Sequence, residues 1–104
     1  MACLKPLDTL KTRRECALKL LEEASEACEA MKHHDKVQEW GTYQDALLEL
    51  ADVGQCVCNC LQALNPSKSE GEDAVLTVRK RNHERGRHEV DGANALTVDW
   101  GAHD

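Results

Sequence analysis

Phenylalanine is absent from this sequence, and with one tyrosine and two tryptophans aromatics make up only 3% of it. An aromatic-rich β-sandwich is therefore a poor fit, and a core of leucine, alanine, valine and cysteine at helical spacing is expected instead. Long apolar runs are missing too: no stretch approaches the ~20 residues of a membrane span, and the opening MACLKPLDTLK lacks a signal-peptide core. No membrane partner is expected. Basic charge is in deficit, with a formal net charge of −6 and the acid concentrated in the first half. That balance argues against a nucleic-acid backbone as partner, the local basic run Lys80 to Arg87 notwithstanding. Six cysteines among 104 residues fall short of the density of a disulfide scaffold. The thiols are read as reduced and the location as cytoplasmic.

What is present is helical patterning. A chain of 104 residues suits one domain, here residues 1–88, with a small core that needs a partner to complete it. Asp8 or Thr9 is expected to cap a first helix running through Lys32, in which Cys16, Leu20, Ala24, Ala27 and Met31 recur at spacings of three and four. HHDKVQEWG (33–41) interrupts this pattern and reads as a loop. Thr42 is the expected N-cap of a second helix through Leu64, stopped by the Asn65–Pro66 pair. SKSEGED (67–73) reads as a polar linker before a third helix from Asp73 to about Arg85. Residues 89–104 form a tail in which ALTVDW (95–100) is either a short strand or a segment packed on a neighbour. The fold class is an all-α helical bundle of about three main helices, completed by oligomerisation into a homodimer or homotetramer.

The acidic residues are not spread evenly around these helices. With about 100° per residue, Glu23 lies about 60° and Glu26 about 120° from the apolar stripe centred on Leu20, on the same side. On the second helix Glu49 lies about 100° and Asp52 about 160° from Leu50, again on one side. Two antiparallel helices packed through their apolar stripes would bring the two acidic shoulders together. Carboxylates at that range repel and raise one another's pKa unless a cation neutralises them, and oxygen-only ligands suit Mg²⁺ or Mn²⁺. A single i,i+3 acid pair is ordinary on a solvated helix; two such pairs on facing helices fit a metal site as well as they fit two solvated faces.

In order, EEASE (22–26), ELAD (49–52) and RKRNHERGR (79–87) follow one another, with 22 residues separating Glu26 from Glu49. This resembles the EExxE…ExxD signature of the MazG-like, all-α nucleoside triphosphate pyrophosphohydrolases. The third segment is similar to their later K-x-x-N/K-N-x-x-R-G element, with Asn82, Arg85 and Gly86 at the matching positions. The likeness covers residues 14–88. It implies that Glu23, Glu26, Glu49 and Asp52 hold Mg²⁺ and that a nucleoside triphosphate is cleaved to the monophosphate and pyrophosphate. It further implies that Glu22 or Glu26 orients or deprotonates the attacking water, and that Lys80, Asn82 and Arg85 contact phosphates. The phosphoribosyl-ATP pyrophosphohydrolases share the acidic pattern but not so well the RNHERGR ending. A non-catalytic helical interaction module is the alternative from another class.

Some positions depart from that pattern. Only 21 residues precede Glu22 and Pro6 blocks a long helical extension, which leaves the base pocket open. Cys56 stands where some relatives carry an aromatic. Trp40 and Tyr43 are candidates for stacking a base, or Trp40 staples the loop to the bundle. The CVCNC segment (56–60) contains no CxxC pair, and its thiols read as small buried hydrophobes. His33 and His34 read as surface residues.

Overall fold

The computed structural model describes residues 3–8, 11–92, 94–98 and 100. Its elements are three helices, α1 (Arg13–Val37), α2 (Trp40–Leu64) and α3 (Lys68–Glu84), and no strand occurs among the described residues. They fall into two units, Met1–Asn65 and Pro66–Asp104. Among the described residues no helix is long and apolar enough to cross a membrane.

In the first unit α1 and α2 form an antiparallel hairpin. The start of α1 is set by Thr12, not by Asp8, which lies in an extended segment; Thr9 lies outside the described residues. Thr12 Oγ1 accepts from the Glu15 backbone N–H (3.1 Å) and the Glu15 carboxylate accepts from the Thr12 N–H (3.3 Å). This reciprocal cap satisfies two otherwise unpaired amides. The other end runs five residues past Lys32, because HHDKV continues as helix up to Gln38, whose left-handed backbone (φ 52°) donates to His34 O. Only Gln38 and Glu39 separate the two helices. Thr42 sits inside the first turn of α2: its Oγ1 accepts from Glu39 N–H (3.1 Å) and lies 2.8 Å from His34 Nδ1, tying the two helices together at the turn. At its far end α2 stops at Asn65, also left-handed (φ 51°), ahead of Pro66.

On α1 the seam follows the expected stripe, Cys16 and Ala27 lying about 40° and 20° from Leu20, whereas on α2 it is shifted away from the leucines toward Ala46 and Cys56. Its buried residues are Cys16, Glu23 and Ala27 of α1 and Thr42, Ala46 and Cys56 of α2. Alanine and cysteine let the two backbones approach closely. On α2 Leu50 then points about 80° away from the centre of the seam, and Met31, Leu47 and Leu50 remain 45–52% exposed. Among the described residues no large side chain is fully buried. The segment 3–8 straps the outer side of α2, with Leu7 N–H donating to Asn59 Oδ1 (3.0 Å), Gln55 Nε2 to Lys5 O (2.8 Å), and Leu4 against Gly54.

In the second unit, α3 begins earlier than its apolar pattern suggests. Ser67 and Glu70 form a second reciprocal cap, the Glu70 amide donating to Ser67 Oγ (3.2 Å) and the Ser67 amide to Glu70 Oε1 (2.9 Å). The polar stretch 67–73 is thereby drawn into the helix. Gly71 is the buried residue of α3 because the Trp100 indole lies against it, leaving no room for a Cβ. Among the described residues of ALTVDW there is no strand, and Trp100 is the residue that packs against α3. Arg79 closes a fork on Glu89, Nε at 3.0 Å and Nη2 at 2.8 Å, holding the chain after α3 back along the helix.

Candidate metal centre

The seam brings Glu23 and Glu49 inward, while Glu22, Glu26 and Asp52 beside them stay exposed. Glu23 occupies the same stripe of α1 as Cys16 and Ala27, four residues from the latter, so it is only 9% exposed. Glu49 lies between Ala46 and Val53 on the matching stripe of α2 and is half-buried. Around them, Glu22, Glu23 and Glu26 can each place an oxygen within 4.8 Å of the others, and so can Glu23, Glu49 and Asp52. Glu23 belongs to both sets. These are the metal-ligating positions and the candidate water-activating positions of the sequence reading, assembled on one side of one hairpin.

Their electrostatics are those of an undercompensated cluster. The Glu26 carboxyl is pushed above its ordinary range, first by the charge of Glu23, then by burial, and by Glu49 and Glu22. Glu49 Oε2 is buried with no hydrogen-bond partner. A buried, unpartnered carboxylate oxygen is costly. Lys19 gives partial relief, with Nζ 3.0 Å from Glu23 Oε1 and 3.3 Å from Glu22 Oε1. The spacing K-x-x-E-E made this contact legible as i,i+3 and i,i+4 pairs, although Lys19 has no place in the acidic signature. Next to the cluster the Cys56 thiol is driven up by burial and by Glu23, which keeps it protonated and unreactive. All six cysteines are free.

A donor set made only of carboxylate oxygens, with one oxygen buried and unpaired, fits a hard divalent cation such as Mg²⁺ or Mn²⁺. The other candidate positions lie elsewhere. Tyr43 is nine residues from Asp52, about 180° around α2, and lines an open, mostly apolar groove of about 350 Å³ with Met31, His34, Asp35, Ala46, Leu47 and Leu50. Trp40 stacks on Tyr43 at 5.4 Å between ring centroids and is 70% exposed. Lys80, Asn82 and Arg85 belong to the second unit: Lys80 approaches Glu84 (4.0 Å), and Arg85 caps the end of α3.

The fold and these carboxylates define an all-α hairpin carrying an oxygen-only acidic centre. Comparison with known families, curated proteins and solved structures finds nothing that matches this chain.

Proposed function

We propose that the protein is a Mg²⁺-dependent nucleotide pyrophosphohydrolase that converts a nucleoside triphosphate into its monophosphate and pyrophosphate. The observation that carries this reading is the convergence of Glu22, Glu23, Glu26, Glu49 and Asp52, with the buried Glu49 Oε2 left unpaired. Glu23, Glu26, Glu49 and Asp52 would hold the ion, or Mn²⁺ in its place. When bound, the ion lowers the pKa of a water and neutralises charge on the phosphates. Glu26, whose basicity its acidic neighbours raise, and the exposed Glu22 are the two residues able to accept that water's proton. Lys80, Asn82 and Arg85 supply phosphate contacts in this reading, and Trp40 and Tyr43 an aromatic surface for a base.

The same reading makes the active species a homodimer or homotetramer. Two 25-residue helices side by side present a face of roughly 37 by 20 Å, about 700 Å². That is close to the ~800 Å² per partner of a standard interface. The half-exposed Met31, Leu47 and Leu50 lie on this face, away from the acids. Leu50→Glu should shift the sedimentation coefficient to that of the monomer while leaving helix content in place; an unchanged value removes the oligomer from the proposal.

The reaction is tested by incubating the protein with a panel of canonical and modified deoxynucleoside triphosphates and Mg²⁺, resolving products by chromatography. Monophosphate with pyrophosphate is the expected result. Diphosphate with orthophosphate would assign another phosphohydrolase, and no turnover together with no stabilisation by metal would leave a helical interaction module.

A further inference from the structure

Glu23 is the carboxylate shared by both sets of potential ligands, and it is nine-tenths buried in the seam. A carboxylate in that position needs a compensating charge. The second helix cannot provide one, since α2 contains no lysine or arginine. Among the described residues the compensation comes from Lys19 alone, one turn earlier on α1, whose ammonium spans Glu23 Oε1 (3.0 Å) and Glu22 Oε1 (3.3 Å). Its side chain is 43% exposed, so the four-carbon stem can swing into solvent without repacking the seam.

We propose that Lys19 is a tethered counter-ion of the acidic centre: it holds Glu23 and Glu22 while no divalent ion is bound, and is displaced when one binds. This rests on reading the cluster as a metal site. One ammonium against five carboxylates leaves the centre short of positive charge, consistent with the buried Glu49 Oε2 that has no partner. Lys19 reaches Glu22 and Glu23 but not the α2 acids, so it compensates one wall of the site only. Its role is to offset the charge of the α1 wall in the metal-free state and to set the threshold a cation must exceed, because any ion entering between Glu22 and Glu23 must outcompete a unit charge already there. A doubly charged ion bridging both helices does so; a monovalent ion gains nothing over the ammonium.

The test is Mn²⁺ binding, by calorimetry or by the electron paramagnetic resonance signal of the free ion, to the wild-type chain, Lys19→Met and Lys19→Arg. Lys19→Met should bind Mn²⁺ about threefold to tenfold more tightly, as loss of a partly screened unit charge beside the ion implies. Lys19→Arg should stay near wild type. A second readout uses the unmodified chain: titration with Mg²⁺ should shift the NMR signal of the Lys19 ε-methylene, while that of Lys32, paired with Glu29 at 3.6 Å on the exposed face, stays in place. Equal Mn²⁺ affinity in Lys19→Met and wild type, or a Lys19 signal indifferent to Mg²⁺, overturns the counter-ion role and leaves the metal site standing. A wild-type chain that binds no Mn²⁺ overturns both.

Discussion

The second unit and the hairpin use the same residue type in opposite ways. In the second unit Glu70 accepts from the Ser67 amide at 2.9 Å, and Glu89 receives both arms of the Arg79 guanidinium at 3.0 and 2.8 Å. Both carboxyls are held below their ordinary range, Glu70 by the Ser67 hydrogen bonds and Glu89 by Arg79. In the hairpin Glu26 is pushed the other way by Glu23, and Glu49 keeps a buried oxygen with no partner. Acids that serve the fold are already satisfied and have nothing to offer a ligand. Acids that are crowded and undercompensated, with Glu23 and Glu49 drawn into the seam, are the group that a bound cation would stabilise.

The sharpest way to break this contrast is to remove the unpaired acid. Glu49→Gln takes away a like charge without changing the shape of the side chain. The metal-free mutant should melt higher than wild type, the reverse of what most substitutions at a half-buried site do. It should also lose the gain from Mg²⁺, which for a single site at 100-fold excess over Kd is about 2.7 kcal/mol. Pyrophosphohydrolase turnover should fall about a hundredfold or more, as expected for loss of a metal ligand. Thermal melts with and without Mg²⁺ read the first two effects directly. If Glu49→Gln melts lower than wild type and still responds to metal, Glu49 is a structural acid like Glu70.

A second substitution tests whether the seam is what crowds the acids. Ala46 is 8% exposed in the contact between the helices, three residues before Glu49. Ala46→Leu should cost about 1–3 kcal/mol by overpacking and, by forcing the helices apart, should weaken Mn²⁺ binding with every carboxylate still present. Calorimetry on this mutant separates the spacing of the acids from their mere number.

That seam is also where reading the chain reached its limit. The three helices and the grouping of Glu23, Glu26, Glu49 and Asp52 on matching shoulders follow from a periodicity that any single helix displays. The ends of α1 and α3 are fixed by T-x-x-E at 12–15 and S-x-x-E at 67–70, capping patterns that outweigh the polar character of 67–73 and place α3 five residues earlier than its apolar residues do. Which apolar stripe faces the partner helix is another matter. On α1 the small residues Cys16 and Ala27 share one stripe with Leu20, but α2 offers two: a leucine-rich one through Leu50 and a small-residue one through Ala46 and Cys56. Local pattern favours the leucines, whereas close approach of two backbones favours alanine and cysteine, and only the pair of helices together decides. That decision moves Glu23 from the rim to the inside, and with it the balance of charge at the site. It also separates Tyr43 from the acids, since the aromatic follows the leucine stripe.

On the other side of the comparison, Ser67→Ala removes the hydroxyl that caps α3 and frees the Glu70 amide. The expected loss is about 1 kcal/mol, seen as faster hydrogen exchange over residues 68–73, with the response of the hairpin to Mg²⁺ unaltered. Loss of that response on Ser67→Ala would mean that the two units do not hold their acids independently.

The smallest effect expected is a difference of sign with pH. Because the folded-state pKa of Glu26 is raised, the native hairpin binds more protons than the unfolded chain between the unfolded and folded values, and its stability increases as pH falls through that window. Glu70 and Glu89 are lowered, so their contribution is complete above the unfolded value and is lost only as pH falls below it, through the folded pKa. Acidifying a metal-free sample from neutral pH toward the ordinary glutamate range should therefore increase residue-level hydrogen-exchange protection around Glu26, once intrinsic exchange rates are corrected for, and leave α3 unchanged. Further acidification should erode α3. Saturating Mg²⁺ should abolish the increase in the hairpin, since an ion between the carboxylates removes the reason for protonating one of them. If protection around Glu26 instead falls with acid in the metal-free protein, its charge is already compensated there, and the contrast between the two sets of acids does not hold.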